Sequence, residues 1–257
     1  MNLDIQNKCF LITGASRGIG RAIAERLLKE EANVWLVARE QKQLEQTIEE
    51  LRQQFGGKRV TGWPTDCADE LALQELYQQI TQKWERIDGV VANVGDGRSI
   101  PDAIPDSEQW SKVWRTNFET ALNTARVFLP FLQKSSGNFL FISSITGLEV
   151  IGAPVDYSTA KTAVIAFAQN LARKVAPEVR VNVIAPGNIL FPGSSWAEKI
   201  HAGPAKVEHM LKASVPMKRF GSPEEIADAA AFLCSARASF ITGSVMVVDG
   251  GQTMRLL

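Results

Sequence analysis

The chain has 257 residues with 45% hydrophobic and 22% charged side chains, a composition that sets aside fibrous, disordered and membrane-spanning classes. Its 28 basic residues balance 28 acidic ones, so no global field gathers nucleic acid or an anionic membrane, and any anion site must be local. Cys9, Cys67 and Cys234 are odd in number and lack C-x-x-C spacing; with Asp4 where a signal peptide would be apolar, they predict reduced thiols in a cytoplasmic protein that does not enter a membrane.

Along the chain, short apolar runs alternate with longer segments of helical period. Strands are predicted at 9–13, 34–38, near 59–62, and at 90–92, 139–142, 179–184 and 245–248. Leu44, Ile48, Leu51 and Phe55 form one helical stripe, and Leu73, Leu76, Tyr77, Ile80 and Trp84 a second. Long helices follow near 107–132 and 156–175, the latter so apolar that burial on more than one side is expected. Ser222 and Pro223 mark the start of another, as N-cap and first helical residue. The proline- and glycine-rich stretch 186–216 is the least regular, and residues around 188–215 are the candidate substrate lid. This alternation predicts a single α/β domain of Rossmann-like form, a doubly wound parallel sheet with helices on both faces.

The first strand runs into Thr13-Gly14-Ala15-Ser16-Arg17-Gly18-Ile19-Gly20, which opens a helical pattern. Glycines there allow a sharp turn and close approach of a pyrophosphate, while a helix N-terminus supplies N–H groups and partial positive charge. Gly14, Ser16, Arg17, Gly18, Ile19 and Gly20 are therefore candidate cofactor-binding residues. Arg17 and Arg21 lie where the helix dipole is already positive, a conflict that an anion would remove.

With these residues the sequence resembles the short-chain dehydrogenase/reductase family over nearly its whole length. Thr13 to Gly20 resembles that family's nucleotide turn, Asn93 to Gly95 the core of its N-N-A-G segment, and Tyr157-Ser158-Thr159-Ala160-Lys161 its Tyr-x-x-x-Lys signature. Pro186-Gly187 and the closing stretch from Arg219-Phe220-Gly221 to Asp249-Gly250-Gly251 are similar too.

Tyr157 and Lys161 are four apart on a predicted helix and share a face. A phenol near pKa 10 serves as an acid at neutral pH only if that value is lowered, and the Lys161 ammonium favours the phenolate. Tyr157 is the candidate proton donor to a carbonyl, or the base when an alcohol is oxidised. Ser143 and Ser144, at the end of the 139–142 strand, point opposite ways, and the family spacing selects Ser144 to donate to the substrate oxygen. The resemblance implies that Asn117 holds a water-linked proton path to Lys161; its alternative is a packed amide bonding to backbone. It also implies that Asp66, with Cys67 beside it, accepts from the adenine amine, although Asp66 could equally cap the following helix. Asn93 and Gly95 belong beside the adenosine ribose, and Pro186, Gly187 and Ile189 beside the nicotinamide carboxamide.

At the end of the second strand stand Ala38 and Arg39, where relatives specific for NAD place a carboxylate. Arg39, approached by Arg17, predicts NADP(H) in preference to NAD(H), unless Arg39 is a solvated residue at a helix start. Ala92 and Val94 depart from N-N-A-G, and Phe191 stands where many members place a threonine that meets the carboxamide. Arg98 is either a solvated loop arginine or a contact for an anionic substrate. His201 and His209, the only histidines, are expected on a surface helix, so no metal site is predicted.

The function implied is reduction of a ketone or 3-oxoacyl-type carbonyl to a secondary alcohol, or the reverse. Enoyl reductases normally lack this Ser144 and Tyr157 arrangement. The alternative is a catalytically silent cofactor-binding sensor or scaffold on the same fold. Leu148, Val150 and Ile151, with Trp196, Met210 and Leu211, predict an apolar substrate pocket. A homotetramer or homodimer is expected, with contacts through the two long helices and through the last strand and 249–257.

Overall fold

A computed structural model describes residues 2–254. Seven parallel strands form one sheet: β1 (Cys9–Thr13), β2 (Asn33–Ala38), β3 (Val60–Pro64), β4 (Gly89–Ala92), β5 (Asn138–Ile142), β6 (Arg180–Pro186) and β7 (Val245–Val248). Their order is β3-β2-β1-β4-β5-β6-β7, with the crossovers starting outward in opposite directions from β1 and β4. The predicted doubly wound sheet is the observed one, and the run near 59–62 is a strand.

Alternation within each strand divides two cores. Phe10 and Ile12 face α1 (Gly18–Lys29), α2 (Gln41–Phe55) and α9 (Pro223–Cys234), while Leu11 faces α3 (Glu70–Thr81), α5 (Thr120–Ser135) and α6 (Val155–Val175). Both faces are covered, which is why the strands read as continuous apolar runs rather than alternating ones. Helix starts follow side-chain chemistry. Asp69 caps α3 by accepting from the N–H groups of Leu71 at 2.9 Å and Ala72 at 3.3 Å. Ser222 and Glu225 form a capping box ahead of Pro223.

Four sequence expectations are corrected. The helix expected over 107–132 is α4 (Ser107–Trp114), a π-helical turn (Arg115–Glu119) and then α5, so the register slips at Asn117. Segment 186–216 contains two helices, α7 (Ser195–Ala202) and α8 (Pro204–Ser214). The Ser194 hydroxyl caps the first at Ala197 N, 3.2 Å away, and Gly203-Pro204 separates them; the prolines there punctuate helices rather than abolish them. Trp84 lies beyond α3 and packs edge-on against Trp35 at 5.5 Å. His201 and His209 are exposed on separate helices, α7 and α8. The three cysteines are free thiols, Cys67 and Cys234 fully in the core, where burial pushes both up to about 12.

α7 and α8 carry a small core of their own, Val207, Leu211 and Val215 under Trp196, Ile200, Met210 and Phe220. No helix among the described residues is long and apolar enough to cross a membrane. Residues 255–257, at the end of the stretch expected to join copies of the chain, lie outside the described residues.

Candidate active site

The carboxyl ends of β1, β2, β4, β5 and β6 open into a cleft of about 1110 Å³. Such crevices are where open parallel sheets bind ligands, because helix N-termini and unpaired strand ends converge there. Gly14, Ser16, Arg17, Ile19, Ala38, Arg39, Asp66, Cys67, Asn93 and Gly95 border one part. Asn117, Ser144, Tyr157, Lys161, Pro186, Gly187 and Ile189 border the rest. Residues scattered from 14 to 189 in sequence are thus brought together.

Gly18 and Gly20 stand behind that wall. Gly14 and Gly18 adopt φ of +63° and +56°, which L side chains rarely adopt. A methyl on Gly18 would stand 2.6 Å from the Phe191 ring, and one on Gly20 would stand 2.6 Å from Asn93 Nδ2. Phe191, rather than offering a hydroxyl to a ligand, roofs the glycine turn. Asn93 donates to the carbonyls of Thr13 and Gly14, both at 3.1 Å, and so ties β4 to β1.

Other cofactor-side expectations are refined. Arg21 is neutralised by Glu25 at 2.9 Å and Glu50 at 2.7 Å, so it holds no charge in reserve for an anion. Arg17 Nη1 lies 3.1 Å from where a methyl on Gly193 would stand, which carries its charge toward the 188–215 segment. The Cys67 side chain packs in the core, leaving its backbone to face the cleft. Asp66 turns back on Ala68 N at 2.9 Å, and Asp69, not Asp66, caps α3.

The chemical groups converge at the cleft floor. Lys161 is 3% exposed and its ammonium donates to the Ile142 carbonyl at 3.3 Å; burial pulls its pKa down to about 8. A methyl on Gly95 would stand 2.7 Å from Lys161 Nζ and 3.0 Å from Asn117 Oδ1, so only glycine leaves room where they meet. Ser144, buried at the end of β5, accepts from Thr146 N at 3.2 Å and shares a hydrogen bond with Tyr157. Ser143 instead donates to the Lys161 carbonyl at 2.8 Å, which resolves the two serines: one holds α6, the other faces the cleft toward Tyr157.

Two expectations shift. Burial holds the Tyr157 phenol above its ordinary value, with the Asp96 carboxylate adding to the rise and the Ser144 hydrogen bond opposing it. The lowering expected from Lys161 is not found; removal of the phenolate from water dominates. The Asn117 amide is fully used: Oδ1 accepts from Asp96 N at 2.9 Å, and Nδ2 donates to the carbonyls of Asp96 at 3.1 Å and Val113 at 3.0 Å. Its packed-amide alternative is therefore realised, within a π turn, a distortion often found at functional sites.

The substrate end differs from the apolar pocket expected. Of Leu148, Val150, Ile151, Trp196, Met210 and Leu211, only Trp196 borders the cleft. Leu211 fills the small core beneath α7 and α8, and Val150 points to solvent. Asp96, Arg98, Ser99, Gln109 and Ser195 border the cleft in their place. Arg98 is not a lone loop cation. It bonds Asp96 at 3.0 Å, Glu198 at 2.6 Å and the Gly193 carbonyl at 2.9 Å, joining the loop after β4 to α7. Nothing in the local pattern of residues 95–99 announces this wall; only its position under the cleft does.

Fold and site together define a dinucleotide-type crevice with a serine, a tyrosine and a lysine on its floor. A family model described as Enoyl-(Acyl carrier protein) reductase matches residues 14–253. The 3-oxoacyl-[acyl-carrier-protein] reductase FabG of Aquifex aeolicus is 32% identical over 98% of this chain and 100% of its own length. The structure of L-sorbose reductase from Gluconobacter frateurii, complexed with NADPH and L-sorbose, superposes with a TM-score of 0.93 at 31% identity, covering 100% of both chains. A 7α-hydroxysteroid dehydrogenase complexed with NADH and 7-oxo glycochenodeoxycholic acid gives 0.88 at 28% identity, covering 100% of this chain and 98% of its own. The chain belongs to the short-chain dehydrogenase/reductase family of oxidoreductases.

Proposed function

We propose that this protein reduces a ketone or 3-oxoacyl-type carbonyl to a secondary alcohol, or runs the reverse reaction, with NADP(H) preferred over NAD(H). The observation that carries the reading is the meeting of Ser144, Tyr157 and Lys161 at the floor of a cleft whose far wall is a glycine turn. The turn, the small Ala38 and the cationic Arg39 fit a dinucleotide phosphate: a glycine cradle that any Cβ would fill adjoins a side chain able to grip a phosphate by parallel hydrogen bonds. When bound, the nicotinamide supplies the hydride.

The chain's residues do the rest. Ser144 and Tyr157 hold the carbonyl oxygen between two hydroxyls, and Tyr157 delivers the proton as negative charge develops on that oxygen. Lys161 Nζ stands 5.9 Å from the Tyr157 ring centroid, where its charge stabilises the phenolate left behind. Asn117 holds the Asp96 backbone beside Lys161. Residues 188–215 act as a lid, joined to the opposite wall by Arg98 and Glu198. The polar lining at Asp96, Ser99, Gln109 and Ser195 supports a compact carbonyl substrate bearing polar groups.

The family description names enoyl reduction, but a hydroxyl pair aimed at one oxygen suits C=O chemistry. A silent sensor has no use for that pair. Loss of reduced-nicotinamide absorbance across a panel of ketones, ketoses and 3-oxoacyl thioesters tests the reading; no turnover of any of them by protein that binds NADPH would favour the sensor. Cytoplasmic location fits the three free thiols. Half-exposed Phe167 and Leu171 on α6, and the half-exposed edge strand β7, support a homotetramer or homodimer. Light scattering at micromolar concentration checks this.

A further inference from the structure

Asp156 immediately precedes Tyr157 and is 1% exposed, yet no ion pair to it occurs among the described residues. A carboxylate this deep persists only where hydrogen bonds replace its water. Two donors reach the carboxylate, the Ser99 hydroxyl shared between its oxygens and the Tyr157 N–H, and Gln109 in turn holds Ser99. The hydroxyl of Ser99 donates to Oδ1 at 2.8 Å and Oδ2 at 2.6 Å, the Tyr157 N–H donates to Oδ1 at 2.7 Å, and Gln109 Nε2 donates to Ser99 Oγ at 3.2 Å. The acid also lies in the first turn of α6, where the helix dipole favours negative charge.

These bonds join two parts of the site that sequence places far apart. Ser99 belongs to the loop after β4, and two residues earlier Gly97 faces the reacting phenol. A methyl on Gly97 would stand 3.8 Å from Tyr157 Cζ, 4.0 Å from Tyr157 Oη and 3.8 Å from Ser195 Oγ. Gly97, Ser144 and Tyr157 all border the cleft, so the distance of the Gly97 wall from the phenol limits what can approach Tyr157. One wall of that gap is tied to Asp156 through Ser99, the other through the Tyr157 backbone.

We propose that Asp156 is a positioning residue for the reaction, a buried carboxylate that fixes the gap between the Gly97–Ser99 wall and the Tyr157 phenol and so sets which carbonyls are accepted. The proposal rests on the reductase reading above. It assigns no proton transfer to Asp156, whose oxygens are occupied and face away from solvent.

The test uses the full-length protein and three variants, Ser99→Ala, Asp156→Asn and Asp156→Ala, with NADPH binding followed by fluorescence and the best carbonyl of the panel as probe. Ser99→Ala removes the tie without unburying the acid, and raises KM for the carbonyl about tenfold with kcat within about twofold and NADPH Kd unchanged. Asp156→Ala misplaces both walls and lowers kcat/KM on the order of 100-fold. Asp156→Asn keeps an acceptor for Ser99 and Tyr157 and recovers most of that loss. A second readout needs no turnover. The chain has only two tyrosines, so in a Tyr77→Phe background phenolate absorbance reports Tyr157 alone. Its pKa is held up by burial, with Ser144, Asp96 and Lys161 as the polar groups around it, so loosening the wall in Ser99→Ala lets water in and moves the titration down toward its ordinary value. An unchanged Tyr157 titration in both Ser99→Ala and Asp156→Ala, in folded protein by circular dichroism, overturns the proposal whether or not a substrate has been found. A wild type that binds NADPH but reduces nothing, with the titration shifts present, overturns the reductase reading and with it the selection of carbonyls, and leaves only the tie from Asp156 to the Tyr157 wall.

Discussion

The two ends of the cleft are held in different ways. At the glycine turn the wall is backbone, fixed by backbone bonds from Ala15 N to Val37 O and Thr65 N to Ala38 O, both at 3.0 Å, and by the side-chain amide of Asn93 that ties β1 to β4. At the substrate end the wall is held by side chains. Asp96, Arg98 and Glu198 are 41%, 38% and 59% exposed, and α7 and α8 rest on a small core of their own. Exposed ion pairs contribute about 0–1 kcal/mol each and are screened by salt, whereas overpacking a buried turn costs about 1–3 kcal/mol. The cofactor end is therefore set before any ligand arrives, and the substrate end is the part free to adapt. Where one chemistry is common to many relatives and substrates differ, that division is expected.

The sharpest way to separate the two ends is Tyr157→Phe. It removes the transferable proton alone, so turnover falls about 10²- to 10⁴-fold while NADPH affinity stays within a few fold; comparable rates in mutant and wild type would end the assignment of Tyr157. At the cofactor end, Ala38→Asp with Arg39→Ala should swing the preference from NADPH toward NADH by roughly 30- to 150-fold. Parallel titrations of both cofactors decide it, and tighter NADH binding by the wild type would show that Arg39 serves otherwise.

Lys161 gives a pH signature from the floor between the two ends. Its folded pKa, about 8, lies below the ordinary value of 10.5, so the unfolded chain binds the proton more readily across that window. Stability then rises as pH increases from 8, until Tyr157, whose folded pKa is raised above 10.0, begins to reverse the trend near pH 10. Denaturation of the protein alone should show a gain of up to about 2–3 kcal/mol from pH 8 to 10, absent in Lys161→Met.

Gly20→Ala tests how rigid the cofactor end is. The new methyl meets Asn93 Nδ2 and the Gly14 carbonyl, and melting should drop by the several degrees that about 1–3 kcal/mol implies, with weakened NADPH binding. The smallest effect is expected at the opposite wall. Arg98→Ala should cost under about 1 kcal/mol of stability, raise KM for the carbonyl with no change in cofactor affinity, and be mimicked by high salt. An Arg98 variant that weakens NADPH binding instead would mean that the two ends are not independent.

How much of this was legible beforehand depends on whether the cause is local. The sheet and the helices packed on it were, apart from the break at Asn117 and the pair α7 and α8, because parallel strands buried on both faces are continuous apolar runs and helices repeat every 3.6 residues. The glycine turn, Tyr157 with Lys161, and the Ser222 cap were legible for the same reason: each is a short motif whose chemistry is completed within a few positions. Strand alternation alone left Ser143 and Ser144 open; the family spacing selected Ser144, and the packing of α6 gives Ser143 the Lys161 carbonyl. Asp156, Ser99 and Gln109 carry no pattern at all. They meet because the loop after β4 folds across the start of α6, 57 residues away in sequence. Leu211 and Met210 suggested a greasy pocket because apolarity in sequence says that a side chain is buried, not against what. The sequence by itself determined the strands, their sheet and most of the helices against it, and singled out the groups proposed to react. The tertiary structure decided which end of the cleft each polar side chain faces, how far the Tyr157 phenol is withdrawn from water, and where Arg21 and Arg98 find their partners, because burial and charge pairing arise between segments that local sequence cannot relate.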